Sequence, residues 1–415
     1  MNNNQTHFEH TFSNGLKILA EKKSHSSSIA LSLLVPIGAA YEDKDKKGSA
    51  NLLVDMFSKG AGAWNNVELS TQYEDIGVRK GFSSGIEVST FSMAMLPENF
   101  SKALSILRTN ILDPKLPESE LENVKSIALQ DLKSIEDEPS SFVMQELVKE
   151  FYPNPHNSSQ IGKAEGIKNT KVEDIKNLYN LRFKPSNSIL AISGNFNWEE
   201  ILETIEKEFS DWKGESSKLE AKNIREKSLI RHIERETSQV QIAIAYPSLT
   251  NSHKDLYVAK VANAVLSGGM AGRLFVEVRE KRGLVYNVSS SHSSNRLYGA
   301  VFASAGTTPE NAQETFDVML EQLSSLKDGA SEDELQRAKA DLKSKLIMRA
   351  DLNSARVSSM INDYWNLKKI RSLEEIKAGI EAVKSEDIIR YAKEFSLNPL
   401  TVLSLGKKSI SYEIL

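Results

Sequence analysis

The chain contains no cysteine. Disulfides, thiolate metal ligands and a thiol nucleophile are excluded, and the redox state of its compartment leaves no mark on the sequence. It carries no excess charge either. Its 52 Lys and Arg stand against 56 Asp and Glu, a net of -4. That balance lacks the basic footprint of a binder of nucleic acid or of an anionic membrane, so neither partner is expected. Long apolar runs are missing. The longest, Ile29 to Tyr41, is too short to span a bilayer and is broken by Ser32 and Pro36. It reads as a buried strand and the turn after it. Met1 to Phe8 is polar, without the basic start and apolar stretch of a secretory leader. The expected compartment is therefore the cytoplasm, or the periplasm if a leader has been removed. Histidine is scarce: His7, His10, His25, His156, His232, His253 and His292. Only the first two are neighbours, at a terminus expected to fray. No Gly-x-Ser-x-Gly elbow occurs between a strand and a helix, and Gly85 after Ser83-Ser84 does not supply one, so nothing supports a serine hydrolase.

What is present is a soluble globular composition, 40% apolar and 26% charged, over 415 residues. That length predicts two domains. The chain also repeats itself. Pro97-Glu98-Asn99 recurs as Pro309-Glu310-Asn311, and Glu120-Leu121 with Lys125 recurs as Glu334-Leu335 with Lys339. Phe151-Tyr152 corresponds to Tyr364-Trp365, and Ile189–Gly194 to Val402–Gly406. The offset stays nearly constant throughout, close to half the chain, which identifies a duplicated domain and not a solenoid. Each copy runs in the same order. Apolar alternating strands (Leu16 to Ala20 and Ser28 to Pro36; Ile230 to Arg235 and Val240 to Tyr246) precede a helix (Ser49 to Ser58; Lys254 to Leu266). Hairpin-like strands follow (Val88 to Leu96; Val285 to Ala305), then two helices, the second long and charged (Ser119 to Glu136; Ser331 to Arg349). A strand, Ile189 to Ile192, and a helix, Trp198 to Phe209, close the first copy. The strands lack regular βαβ spacing, so the expected class is α+β: two homologous α/β-roll domains, each an antiparallel or mixed sheet with helices packed on one face. The expected domains are 1–212 and 228–415. The polar segment 213–227, with Gly214, Ser216 and Ser217, is the expected linker.

The stretch from Gly268 to Val288 holds the chemistry. Glu277 to Arg282 suits a charged helix end, Gly283 the residue after it, and Leu284 to Val288 alternates as a strand. This corner could aim Arg279 and Tyr286 into one space. Two such donors can hold a peptide carbonyl and stabilise an oxyanion formed there. The same spacing also suits a solvated basic helix followed by a half-buried tyrosine. Gly268, Gly269 and Gly272 fit either a flexible loop over a peptide-binding chamber or an ordinary helix stop and restart. They are not a dinucleotide fingerprint, because no strand with a trailing acidic residue frames them.

This stretch resembles the signature of the carboxyl-terminal half of the M16 (insulinase or pitrilysin) metallopeptidases, in particular mitochondrial processing peptidase and its short bacterial relatives. The duplicated plan and the length extend the resemblance over nearly the whole chain. The resemblance implies substrate contacts near the scissile bond for Arg279 and Tyr286, peptide contacts for Gly268, Gly269 and Gly272, and a fold forming half of a clam-shell. The chain departs from the family at the metal helix. Where the family carries His-x-x-Glu-His, this sequence has Asn51-Leu52-Leu53-Val54-Asp55. The family's third ligand, a glutamate, is matched by Asp131. Asn51 is a poor zinc ligand, and Val54 cannot act as the base that activates water. Two aspartates and an amide are oxygen donors of the kind Mg²⁺ takes, yet the base would still be missing. The preferred reading is an amphipathic helix burying Leu52, Leu53 and Met56. Around Ala264 to Gly268, the counterpart in the second copy, there are no ligands either.

The function expected from the resemblance is that of a non-catalytic subunit. It would hold no metal itself and would pair with a zinc-bearing M16 chain to bind a peptide substrate through Arg279 and Tyr286. The alternative is a self-associating peptide-binding or scaffold protein, a homodimer. A third reading, an autonomous peptidase with an unorthodox metal site, would require zinc in the isolated chain.

Overall fold

Period-two alternation and short apolar runs place most of the strands. In the computed structural model, residues 6–216, 219, 224 and 227–412 are described. Strands β1 (Thr6–Thr11), β2 (Lys17–Lys22) and β3 (Ile29–Val35) open the chain. β4 (Gly60–Ala61) and β5 (Trp64–Asn65) form a two-residue ladder, followed by β6 (Arg79–Ser84), β7 (Ser89–Met95) and β8 (Ile189–Gly194). The second half holds β9 (Leu229–Glu234), β10 (Val240–Pro247), β11 (Val285–Ser294), β12 (Gly299–Thr307) and β13 (Thr401–Gly406). They build a six-stranded sheet ordered β1-β2-β8-β3-β7-β6 and a five-stranded sheet ordered β11-β12-β10-β13-β9. Both are mixed. β2 runs parallel to β8 and β9 parallel to β13, while the other pairings are antiparallel. β1 and β6 carry no apolar alternation that marks them as strands in the sequence, because their residues are largely polar and sit at sheet edges.

The central strands β3, β8 and β13 are buried along their full length. Their apolar runs, such as Ile-Ala-Leu-Ser-Leu-Leu-Val in β3, are what a strand covered on both faces requires. In the second sheet, Val240, Ile242, Ile244 and Tyr246 of β10 join the core formed with helices Leu256–Ser267 and Ala312–Ser324. The alternate residues Ala243 and Ala245 face a separate cluster with Leu403, Leu405 and Phe302.

The chain divides into two units: Met1–Lys133, Asn154–Glu220 and Arg349–Trp365 in the first; Ser134–Pro153, Ala221–Met348 and Asn366–Leu415 in the second. No single cut near 213–227 reproduces this division, because two helices change sides. Helix Pro139–Phe151 belongs to the second unit, where Val143, Leu147 and Phe151 form an i, i+4, i+8 stripe against the alanine-lined face of its sheet. Most of helix Asn353–Leu367, its counterpart at the repeat offset, belongs to the first unit. Each sheet thus keeps its helical layer on one face and receives a helix from the other copy on the opposite face. Of the expected linker, residues 217–218, 220–223 and 225–226 lie outside the described residues.

Helix Asn353–Leu367 docks through polar groups. Arg356 Nε donates to both carboxylate oxygens of Glu21 at 3.1 Å, Arg356 Nη2 also donates to Glu21, and His7 Nε2 lies 2.8 Å from Glu21 Oε2. Asn353 Nδ2 donates to Ser26 Oγ (2.7 Å) and to the Ser28 carbonyl (2.9 Å), while Ser193 Oγ donates to Asn353 Oδ1 (3.2 Å). Burial by itself would raise the Glu21 pKa, but the bonds from His7 and Arg356 outweigh it and hold the carboxyl at about 2.

The repeated lysines have matching roles. Lys125 Nζ donates to the carbonyl of Lys168 (3.2 Å) and Lys339 Nζ to that of Glu381 (2.9 Å), acceptors that are themselves separated by the repeat offset. No helix among the described residues is long and apolar enough to cross a membrane.

Candidate functional site

In the second unit, the turn Gly268 to Gly272 ends helix Leu256–Ser267. Gly269 has φ +103°, a conformation natural to glycine. A Cβ on Gly272 would come within 2.8 Å of the Leu266 carbonyl oxygen. A tight reversal of the chain is enough to account for these glycines. Met270, at its tip, is exposed.

The corner that follows is not an α-helical end but a wider turn. Phe275–Glu280 forms a π-helical turn, with Lys281 N donating to the Val276 carbonyl at 2.9 Å. Such turns are rare and recur at functional sites. Gly283 takes φ +62°, as expected of the residue that ends the turn, and its N–H donates to the Arg279 carbonyl (2.9 Å). The turn is braced from behind by Arg273. Its guanidinium makes a two-point pair with Glu334 (2.7 and 2.9 Å) and also donates to Ser325 Oγ (2.8 Å) and the Gly329 carbonyl (2.7 Å). The bond from Arg273 is the main reason the Glu334 carboxyl sits at about 2. In the sequence, Glu334 stands out only as a repeated residue.

Tyr286 occupies a β-bulge. Val285 pairs with Thr307 and Asn287 with Gly306, so Tyr286 is the extra residue between them on the edge strand β11. A bulge re-aims a side chain, and Tyr286 is 80% exposed. Arg279 lies between two rings, its guanidinium 4.8 Å from the centre of Phe275 and 5.0 Å from that of Tyr286. The structure therefore brings Arg279 and Tyr286 together, and it adds Phe275 as the second platform for the cation. The i, i+4 spacing of Phe275 and Arg279 is the only signal of that role in the sequence. Tyr286 also forms one wall of an open cleft of ≈ 210 Å³ that Gln241, Asn287 and Ser304 help to line.

In the first unit, helix Ser49–Met56 presents the positions of the family's metal motif. Its amino terminus is capped from a distance by buried Glu42, which accepts from Gly48 N (3.0 Å) and Ala50 N (2.8 Å). Burial pushes the Glu42 carboxyl up to about 7, against the pull of those two bonds and of Lys47. Leu52, Leu53 and Met56 are buried, and so is Val54. Asn51 Nδ2 donates weakly to Asp55 Oδ2 at 3.4 Å. Burial and then the charge of Asp131 raise the Asp55 carboxyl to about 6. The fold thus gathers Asn51, Asp55 and Asp131. This donor set does not fit zinc: it offers no imidazole or thiolate, and the base position is a buried valine. Among the described residues, no group of three or more His, Asp or Glu side chains is placed to hold a metal ion.

Comparison with known proteins agrees with both halves of the chain. The model of the insulinase family (peptidase family M16) matches residues 17–165, and that of the peptidase M16 inactive domain matches residues 169–342. A Bacillus subtilis protein named uncharacterized zinc protease YmxG is 26% identical over 389 residues, covering 93% of this chain and 94% of that protein. An uncharacterized zinc protease of Rickettsia felis is 25% identical over 401 residues, covering 96% and 97%. The crystal structure of a peptidase M16 inactive domain from Pseudomonas fluorescens superposes with a TM-score of 0.90 at 20% identity, over 99% of this chain and 100% of that one. A protease from Helicobacter pylori gives 0.89, also at 20% identity, over 97% and 99%. Two successive M16 domain models in a duplicated α+β chain, with full-length relatives on either side, place this chain in the peptidase M16 (insulinase) family.

Proposed function

We propose that this chain is the zinc-less subunit of a two-chain M16 peptidase and holds the substrate peptide for a partner that carries the metal. One observation supports this above others. The Arg279–Tyr286 pair is built and displayed, on a π turn and a bulge, in a chain whose metal positions are Asn51, Val54, Asp55 and Asp131. A phenol this exposed offers an O–H donor to a carbonyl oxygen. The guanidinium against its ring adds positive field where negative charge would develop. Zinc on the partner chain would supply the activated water. The groups of this chain would orient the peptide and favour the oxyanion over the ground-state carbonyl.

The test is Tyr286→Phe in a preparation reconstituted with a zinc-bearing M16 chain from the same source. Removing one oxyanion donor is expected to lower kcat by about a hundredfold to a thousandfold, with KM little changed. Turnover within about threefold of the parent pair would remove Tyr286 from this role. If gel filtration shows a stable self-pair that ignores the zinc-bearing chain, the scaffold reading takes its place.

A further inference from the structure

The cleft beside Tyr286 has a chemistry of its own. One wall is the bulge, with Tyr286 and Asn287, and the opposite wall is Gln239 and Gln241 at the start of β10. Between them lie Ser304 and Gly306 of β12. The floor is open because Gly306 has no side chain: a Cβ there would come within 2.9 Å of Gln241 Oε1 and 3.0 Å of Gln239 Oε1. Gln241 is 8% exposed and donates through Nε2 to Gln239 Oε1 at 3.1 Å, which fixes the two amides side by side. Each carboxamide carries both donors and acceptors, and so does each hydroxyl.

Two charges of opposite sign stand near the cleft. Glu138 lines the cleft with its carboxylate already accepting from Ser140 Oγ at 2.9 Å. The Arg279 guanidinium is not part of the lining but lies 5.0 Å from the centre of the Tyr286 ring, which is. A cation or an anion entering the cleft would be attracted by one of these charges and repelled by the other. An apolar side chain would find only Val143 and Ala305 to pack on and would strip water from the amides without replacing its hydrogen bonds, which is costly. A carboxamide satisfies donors and acceptors together and carries no charge.

We propose that this cleft is a side-chain subsite for an uncharged hydrogen-bonding residue, glutamine or asparagine, of the peptide held at Tyr286. The proposal rests on the peptide-holding reading above and gives it a substrate preference.

The experiment uses the full chain and fluorescein-labelled ten-residue peptides of Ala, Ser and Gly. Each carries a single Gln, its near-isostere Met, or Glu or Lys, walked through the central positions and read by fluorescence anisotropy. At one position the Gln peptide is expected to bind about tenfold tighter than the Met, Glu and Lys peptides. Gln241→Leu should reduce that preference to about threefold or less, and so should Asn287→Ala, a change on the exposed bulge that leaves the core intact. Equal affinity for all four peptides, or a preference for Lys, Glu or Met, overturns the subsite. Tyr286→Ala separates the two claims. If it weakens every peptide while no Gln preference is seen, the subsite falls and the peptide-holding role stands. If it weakens none, or if no peptide binds the parent chain, the peptide-holding role falls and takes the subsite with it.

Discussion

Replacing Arg356 by Met tests how the first unit holds the helix it receives from the second copy. Glu21 is fully buried and Arg356 nearly so, and the pair is joined by three hydrogen bonds. Arg356→Met leaves a buried carboxylate with only His7, itself 28% exposed, as partner. Removing one member of such a pair costs about 3–5 kcal/mol. The second unit shows what the same place looks like without charge. Val143 precedes Arg356 by the repeat offset, and Ile233 precedes the strand end as Glu21 does, opposite the residue before the closing glycine of the neighbouring strand. Both belong to the apolar packing of that unit. The double variant Glu21→Ile/Arg356→Met should therefore recover the loss, ending neutral or about 1–4 kcal/mol more stable than the parent. Urea unfolding followed by tryptophan fluorescence isolates the effect, because Trp64, Trp198, Trp212 and Trp365, all the tryptophans in the chain, lie in the first unit. Acid adds a second readout. Glu21 is held at about 2 against an ordinary 4.5, so the unfolded chain binds more protons between those values. The pair's contribution is complete above pH 4.5 and is lost as pH falls toward 2, a slope the double variant should lack. If Arg356→Met shifts stability by less than about 1 kcal/mol, or if the double variant is as weak as the single one, the buried pair is not what holds this helix.

Other changes read the remaining features. Asp55 is raised to about 6, so its ionisation opposes folding: stability is greatest below its unfolded pKa and falls as pH rises through 6. Asp55→Asn should therefore stabilise the first unit by about 1 kcal/mol at pH 7.5, allowing for solvent screening, with no gain below pH 4 in the same urea assay. Arg273→Met should loosen the π turn, lowering the protection of amides 272–284 by about 2 kcal/mol in hydrogen-exchange mass spectrometry; unchanged protection would mean that Glu334 is not its brace. Gly269→Ala meets open space but keeps φ +103°, so a loss of about 1 kcal/mol in thermal unfolding is expected from backbone strain alone.

The duplication was legible because it preserves packing positions. Lys125 and Lys339 recur at the repeat offset, and each reaches a carbonyl at the same offset. The buried strands and the long charged helices were legible from alternation and apolar content. The Glu42 cap was not, because it reaches the helix from six residues before Gly48 and no Ser, Thr, Asp or Asn stands at the N-cap. The bulge at Tyr286 was hidden as well. An alternating run such as Leu284 to Val288 looks the same whether or not one residue is left unpaired. Phe275 went unnoticed because an aromatic residue on a helix face is ordinarily core, whereas here it is one of two rings around a cation.

The exchange of helices was beyond sequence reading for a deeper reason. A duplicated chain has two similar helices and two similar sheets, and an amphipathic pattern says that a helix will dock but not where. The structure shows what separates the two pairings. Arg356 on the alanine-lined face of the second sheet would be a buried cation among Ala243, Ala245 and Leu405. Val143 on the first sheet would leave Glu21 buried without its guanidinium. Each misplacement strands one charge, at a cost of several kcal/mol. The observed pairing strands neither. The second unit holds its helix with apolar residues at the corresponding positions, but an apolar pair would hold either helix. The buried Arg356–Glu21 pair therefore discriminates between the two arrangements more than it strengthens one of them. A variant that keeps full stability with both charges removed should populate more than one helix arrangement, detectable as heterogeneous disulfide trapping between cysteines introduced at Ser28 and Asn353.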